Sequence, residues 1–153
     1  MTTPCSDWDV CALVCHVINT HWRVEGNNEK QADPKEDIPS QWIEASGAVQ
    51  AALGDPIRSS ATVSGIFGEQ PFSSLVSRLL CADTLYHTWD LAKAIGQHVE
   101  LDEEAMAYAL EFLTPLDEAI RIPGGFAPKI ISKLDADLQT RFLNFGGRSD
   151  WRS

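Results

Sequence analysis

Residues 81–94 read CADTLYHTWDLAKA, and their periodicity decides the fold. Val76, Leu80, Asp83, His87, Leu91 and Ala94 recur at steps of three and four. That spacing is one face of an α-helix, not the two-residue alternation of a strand. The face is mostly apolar and belongs against a core, yet it carries an acid and an imidazole. An ionised carboxylate on such a stripe is costly unless something compensates it. The wider segment from about residue 72 to 95 is the longest and most apolar helical run, which places it at the centre of the fold.

Working outward from that helix, periodicity remains helical. Upstream, Val10, Leu13, Val17 and Val24 form a second apolar stripe with His16 on its edge. Ser6 followed by Asp9 reads as its capping start and Gly26 as its stop. The polar, proline-bearing NNEKQADPKEDIPS is a surface loop. Ser40 then caps a second helix, SQWIEASGAVQAALGD, closed by Gly54. Between the helices, IRSSATVSGIFGEQ (57–70) carries β-branched residues and glycines at turn-like spacing and fits a short hairpin or extended crossover. Downstream, Gly96 ends the central helix and Asp102 caps EEAMAYALEFL, whose acidic first turn suits the helix dipole. Three prolines and a Gly-Gly pair make TPLDEAIRIPGGFAPKI irregular, and a last helix around DADLQTRFLNF stops at Gly146-Gly147. The expectation is a mainly all-α protein, a single domain over residues 1–153, with a short hairpin or crossover.

Composition narrows the partners. At 153 residues the chain suffices for one real core. Hydrophobic residues at 44% and charged residues at 22% are ordinary for a globular protein. A formal net charge of −10 argues against a nucleic-acid backbone or an anionic membrane as partner, because like charges repel. The N-terminus lacks a signal-peptide pattern and no apolar run reaches the length of a membrane span, so the cytoplasm is the expected compartment. Of the four cysteines, none forms a Cys-x-x-Cys pair, and buried reduced thiols are the expected state. Cys11 and Cys15 share a helix face, but not the face that carries His16.

Asp83 and His87 are four residues apart, which on a helix sets their Cβ atoms about 5–6 Å apart on one side. His16 sits on another helix whose apolar face must turn toward the same core. Two imidazoles and a carboxylate supply three protein ligands for a divalent ion and leave a fourth tetrahedral position for water or substrate, the pattern of a catalytic zinc site. With neutral imidazoles the loaded site carries a net +1 and stabilises a thiolate or hydroxide. Spacing alone leaves a second reading open, in which Asp83 and His87 simply hydrogen-bond each other. Mixed nitrogen and oxygen ligands suit zinc, and nickel and iron also.

Resemblance bears on that choice. TPCSDWDVCALVCHV (Thr3–Val17) resembles the TPCSEWDVRALVNHV segment of the DinB-like, mycothiol-dependent maleylpyruvate isomerase N-terminal domain family, and DTLYHTWDLAKAIGQ (Asp83–Gln97) is similar to that family's ELLVHGWDLARATGQ. GEQPFSSLVSRLL and the closing FLNFGGRSDW also resemble it. The resemblance implies a four-helix-bundle-type fold, a metal held by His16, Asp83 and His87, and chemistry with a low-molecular-weight thiol such as mycothiol, bacillithiol or glutathione. Such a thiol would attack a small electrophile in an S-transferase or isomerase reaction. Two departures stand out. The family has Glu where this chain has Asp83, one methylene shorter, which would pull the ligand back, call for a bridging water or weaken binding. The family also has a helix before its Thr-Pro-Cys-Ser motif, whereas this chain begins almost at the motif. A homodimer partner or a rearranged C-terminal helix is expected to cover the faces that helix would protect. These departures keep alive a different class of function, a non-catalytic small-molecule- or metal-binding, self-associating helical module.

Other positions carry lesser expectations. Trp8 and Trp89 are packing anchors. Asp90 lies near the Asp83–His87 face, where it either orients a ligand imidazole or serves as a solvated or capping group. His21 and His98 read as surface residues, and Arg23 and Arg141 as solvated helix-end cations or holders of an anionic substrate.

Overall fold

The structure is a computed structural model that describes residues 1–5, 8–65, 67–122 and 125–149. Its helices are α1 (Val10–Glu25), α2 (Ile38–Gly54), α3 (Pro56–Ser60), α4 (Phe72–Leu75), α5 (Cys81–Ala94), α6 (Glu103–Leu113) and α7 (Leu138–Phe145). A π-helical turn over Val76–Leu80 joins α4 to α5, so that the expected long helix is one path with a wider turn inside it. Strands β1 (Thr62–Gly65) and β2 (Gly68–Pro71) form the antiparallel hairpin, with Val63 opposite Gln70 and Gly65 opposite Gly68. The protein is mainly α-helical, with this single small sheet among the described residues.

Local chemistry sets the helix starts, and not always at the expected residue. Asp9 caps α1, its Oδ1 accepting from the Ala12 N–H at 2.8 Å. The expected cap, Ser6, lies outside the described residues. Asp9 is held extended by a bridge to Thr2, and the Val10 N–H donates to the Met1 carbonyl at 3.1 Å. Helix α2 begins two residues before Ser40, after Asp37, because Pro39 fits a first turn where its missing N–H costs nothing. Ser40 donates its hydroxyl to Asp37 instead of capping. Asp102 caps α6 as expected, and Asp137 caps α7, each accepting from the amide three residues on.

Packing runs from α2 to α1 to α5 to α6 to α7, each helix touching the next. Ile18, Trp22 and Ala45 fill the α1–α2 seam. Val24, Val49, Ala52, Phe72, Leu75 and Leu80 form a second cluster beneath the hairpin. The largest cluster joins Ala82, Tyr86 and Trp89 of α5 to Met106, Ala109 and Leu113 of α6 and to Phe142 and Leu143 of α7. The deepest apolar stripe of α5 is therefore Ala82–Tyr86–Trp89, while Asp83 lies at the half-buried seam facing α1. No described helix is long and apolar enough to cross a membrane.

Two expectations fail here. The cysteines are not all buried: Cys11 is exposed, Cys5, Cys15 and Cys81 are half-buried, and all four are reduced. His21 is not a surface residue. It is buried, its Nδ1 bonded to the Val17 carbonyl at 2.8 Å and its ring edge-on to Trp42. Helix α1 is covered by α2 on one side and α5 on another, so its apolar stripe is broader than one row of valines.

Candidate metal centre

The two neighbouring helices that the fold places side by side bring the expected trio together. From α1 comes His16; from α5, one turn apart, come Asp83 and His87. Their ligand atoms all lie within 4.8 Å of one another. Asp83 Oδ1 is 3.3 Å from His16 Nε2 and 3.5 Å from His87 Nε2. A tetrahedral ion with bonds of roughly 2.0–2.1 Å sets neighbouring ligand atoms about 3.3 Å apart, so both separations match an edge of such a polyhedron. The shorter acid thus loses no reach: its oxygen meets both imidazoles directly. Asp83 Oδ2 is buried and has no hydrogen-bond partner among the described residues. Oδ1 already meets both ring nitrogens, and the unpartnered Oδ2 beside them completes a donor set of the kind a divalent cation takes.

The surroundings hold these groups in place. Trp8 lies tilted against His16 with ring centroids 4.4 Å apart and reaches His87 at 5.6 Å, so it forms a wall of the site as well as a packing anchor. Thr20 is buried beside His16, donating to the His16 carbonyl at 2.9 Å and lying 3.5 Å from His16 Nε2. Trp89 faces the largest core cluster. Asp90 sits 3.0 Å from His87 Nδ1 and is fully buried. With Nδ1 engaged there, His87 presents Nε2 to Asp83 and His16, the arrangement in which a carboxylate orients a ligand imidazole and raises its basicity. Of the two roles expected for Asp90, the structure has the orienting one.

Charge is distributed unevenly around His87. Burial pushes the Asp83 carboxyl up, but hydrogen bonds from His16 and His87 outweigh it and hold the group well below the usual carboxylate range. Burial pulls His87 down, and the hydrogen bonds to Asp83, Asp90 and Cys5 overcome that and raise it to about 11. Asp90 belongs to a second trio, with His87 and Cys5, whose ligand atoms also lie within 4.8 Å. That trio already contains a cation: Arg148 Nη2 is 2.9 Å from Asp90 Oδ2 and 3.5 Å from Cys5 Sγ. Among the described residues no lysine or arginine pairs with Asp83, whose side-chain partners are the two imidazoles.

Sequence reasoning missed Cys5 and Arg148. Cys5 Sγ donates to Asp90 Oδ2 at 3.2 Å from 85 residues away, and Arg148 arrives from 58 residues away. Periodicity cannot register such contacts; only the placement of both residues inside the resembling segments hinted at them. The remaining expectations resolve plainly. Arg23 and Arg141 are exposed and neither pairs with a site carboxylate. His98 is exposed, 3.9 Å from Glu100. Burial raises the Cys15 and Cys81 thiols, away from the thiolate character a nucleophile needs.

Comparison with known proteins adds little to this geometry. No protein-family model matches the chain, and no solved structure matches it. It is 33% identical over 105 residues, 67% of its length, to uncharacterized proteins of Mycobacterium tuberculosis strains CDC 1551 and H37Rv. The chain spans 57% of the length of these curated relatives.

Proposed function

We infer that the protein binds a divalent metal, zinc in the first instance, through His16 Nε2, Asp83 and His87 Nε2. The observation that carries this reading is the convergence of two imidazoles on one carboxylate whose second oxygen is buried without a partner. The charge sum supports it. Without metal the acid is compensated by a protonated His87; a divalent cation that displaces that proton takes over the compensation and uses both ring nitrogens.

Three protein ligands leave one coordination position. A bound divalent ion supplies Lewis acidity at that position and lowers the pKa of a thiol or water toward neutrality. The chain's own groups do the rest. Asp90 fixes the His87 ring, Trp8 covers one side of both imidazoles and limits water there, and Asp83 offsets part of the ion's charge. The resemblance to DinB-like, maleylpyruvate isomerase N-terminal proteins favours a small thiol as the group activated and a small electrophile as its target, in an S-transferase or isomerase reaction.

The test uses purified protein loaded with Zn²⁺ or Co²⁺. Elemental analysis is expected to give one equivalent in the wild type and none in His16→Ala. Glutathione titrated into the Co²⁺ form is expected to produce a sulfur-to-cobalt charge-transfer band. Metal binding without that band leaves the metal-binding module standing and removes the thiol chemistry. Absence of stoichiometric metal removes both.

A further inference from the structure

The metal reading uses His87 but leaves open what holds Asp90. We propose that Arg148, in the turn that follows α7, is a positioning residue for the metal site, acting through Asp90 on the orientation of the His87 ring. This rests on the metal reading for its consequence and on independent contacts for its geometry.

A metal trio tolerates only small errors, on the order of 0.5 Å and 10–20°, in where each donor points. His87 is most at risk, since half a turn about its ring bond exchanges Nδ1 for a carbon and sends Nε2 elsewhere. Asp90 Oδ2 prevents this by engaging Nδ1 at 3.0 Å. Asp90 itself has no exposure, and a bare carboxylate at that depth would shift, protonate or pull in water. Arg148 fixes it in two directions: Nε lies 3.3 Å from Oδ1 and Nη2 2.9 Å from Oδ2. The guanidinium is a planar fork, so two contacts to one carboxylate set the plane of both groups.

Arg148 is in turn tied down at every edge. Nη1 donates to the Gly146 carbonyl at 2.7 Å, and the guanidinium carbon lies 4.9 Å from the centre of the Tyr86 ring. Tyr86 stacks on Phe142 at 4.1 Å and donates its hydroxyl to the Phe142 carbonyl at 2.8 Å. The backbone makes room for this approach. A Cβ at Gly146 would lie 2.3 Å from the Tyr86 ring, and Gly147 has φ +77°, a conformation that side-chain-bearing residues rarely adopt. The Gly-Gly pair therefore does more than stop a helix: it lets the chain turn back under Tyr86 and deliver the next residue to Asp90. Cys5, donating to the same oxygen from the N-terminal loop, closes the other side. A structural ion pair could sit anywhere on α5. This one is spent on the carboxylate that touches a ligand imidazole.

The test compares wild type with Arg148→Lys, which keeps the charge but loses the fork, and with the double variant Arg148→Met, Asp90→Asn, which leaves no unpaired charge to unfold the protein. Zinc affinity, measured by competition with a chromophoric chelator, is expected to fall about ten- to a hundredfold in both. The d–d spectrum of the Co²⁺ form is expected to change with it. In metal-free protein the His87 Nδ1 proton is expected to be protected from exchange in wild type and to exchange rapidly in the variants. Variants that lose only melting temperature, with zinc affinity, cobalt spectrum and proton protection unchanged, overturn the proposal. A wild type that takes up no zinc overturns the metal reading instead; the exchange of the Nδ1 proton then decides the positioning role by itself.

Discussion

Asp83 and Asp90 stand about two turns apart on the same helix and both contact His87, one at each ring nitrogen. Asp90 is completely buried and carries a guanidinium, a thiol and an imidazole. Asp83 is 19% exposed at its side chain, carries two imidazoles, and keeps one oxygen without a partner. One acid is satisfied from within the chain. The other is satisfied only by protonating a neighbour or by a cation from solution. Two apparently similar trios of ligand-type residues therefore differ in kind, and the resident guanidinium is what tells them apart.

That contrast can be broken at several points. The largest effect on metal binding is expected from His87→Ala, which removes the shared ring: stoichiometric zinc disappears on elemental analysis, and so does any zinc-induced rise in melting temperature. In wild type, zinc at a hundredfold excess over its Kd is expected to stabilise the fold by about 2.7 kcal/mol, or roughly 5–10 °C. Removing Asp90 comes next. Asp90→Ala leaves Arg148 without its acid in a buried setting and is expected to cost about 3–5 kcal/mol by urea denaturation, whereas Asp83→Asn in metal-free protein should cost less than half of that. An Asp83→Asn that is the more damaging of the two would invert the comparison.

The pH dependence sharpens it further. His87 is raised from its ordinary 6.5 to about 11, so its contribution to the metal-free fold is complete below the ordinary value and is lost as pH climbs through the raised one. Metal-free protein is thus expected to lose stability on the alkaline side. Zinc must displace that proton, so its affinity should weaken about tenfold for each unit that pH falls. Parallel urea and zinc titrations between pH 6 and 9 would reveal the opposed slopes. The smallest effect lies far from both acids. Asp137→Ala removes the α7 cap and should cost about 1 kcal/mol while leaving zinc affinity within twofold.

Much of this arrangement could be read in the chain beforehand, but unevenly. Asp83, His87 and Asp90 fall on one side of a helix by spacing alone, because an α-helix turns sequence distance into geometry. The convergence of His16 with them depended on two helices packing face to face, which the apolar stripes implied. Arg148 and Cys5 were invisible to periodicity, as they arrive through a loop and a turn at opposite ends of the chain. His21 was misjudged for a related reason: a single stripe suggests one buried face, whereas α1 is wedged between two neighbours. The thiols were misplaced because an average tendency of cysteine to be buried says nothing about a particular site.

The π-helical turn at Val76–Leu80 ties these observations to the hairpin. One additional residue inside a helix rotates everything beyond it by about 100° relative to the part before. Across that turn Phe72 and Leu75 anchor in the cluster beneath the strands while Asp83 and His87 meet His16 of α1. Deleting a single residue within 76–80 would be an angular lesion, not a gap. Either the anchor or the ligands would face the wrong way, although every side chain that touches the cation would still be present.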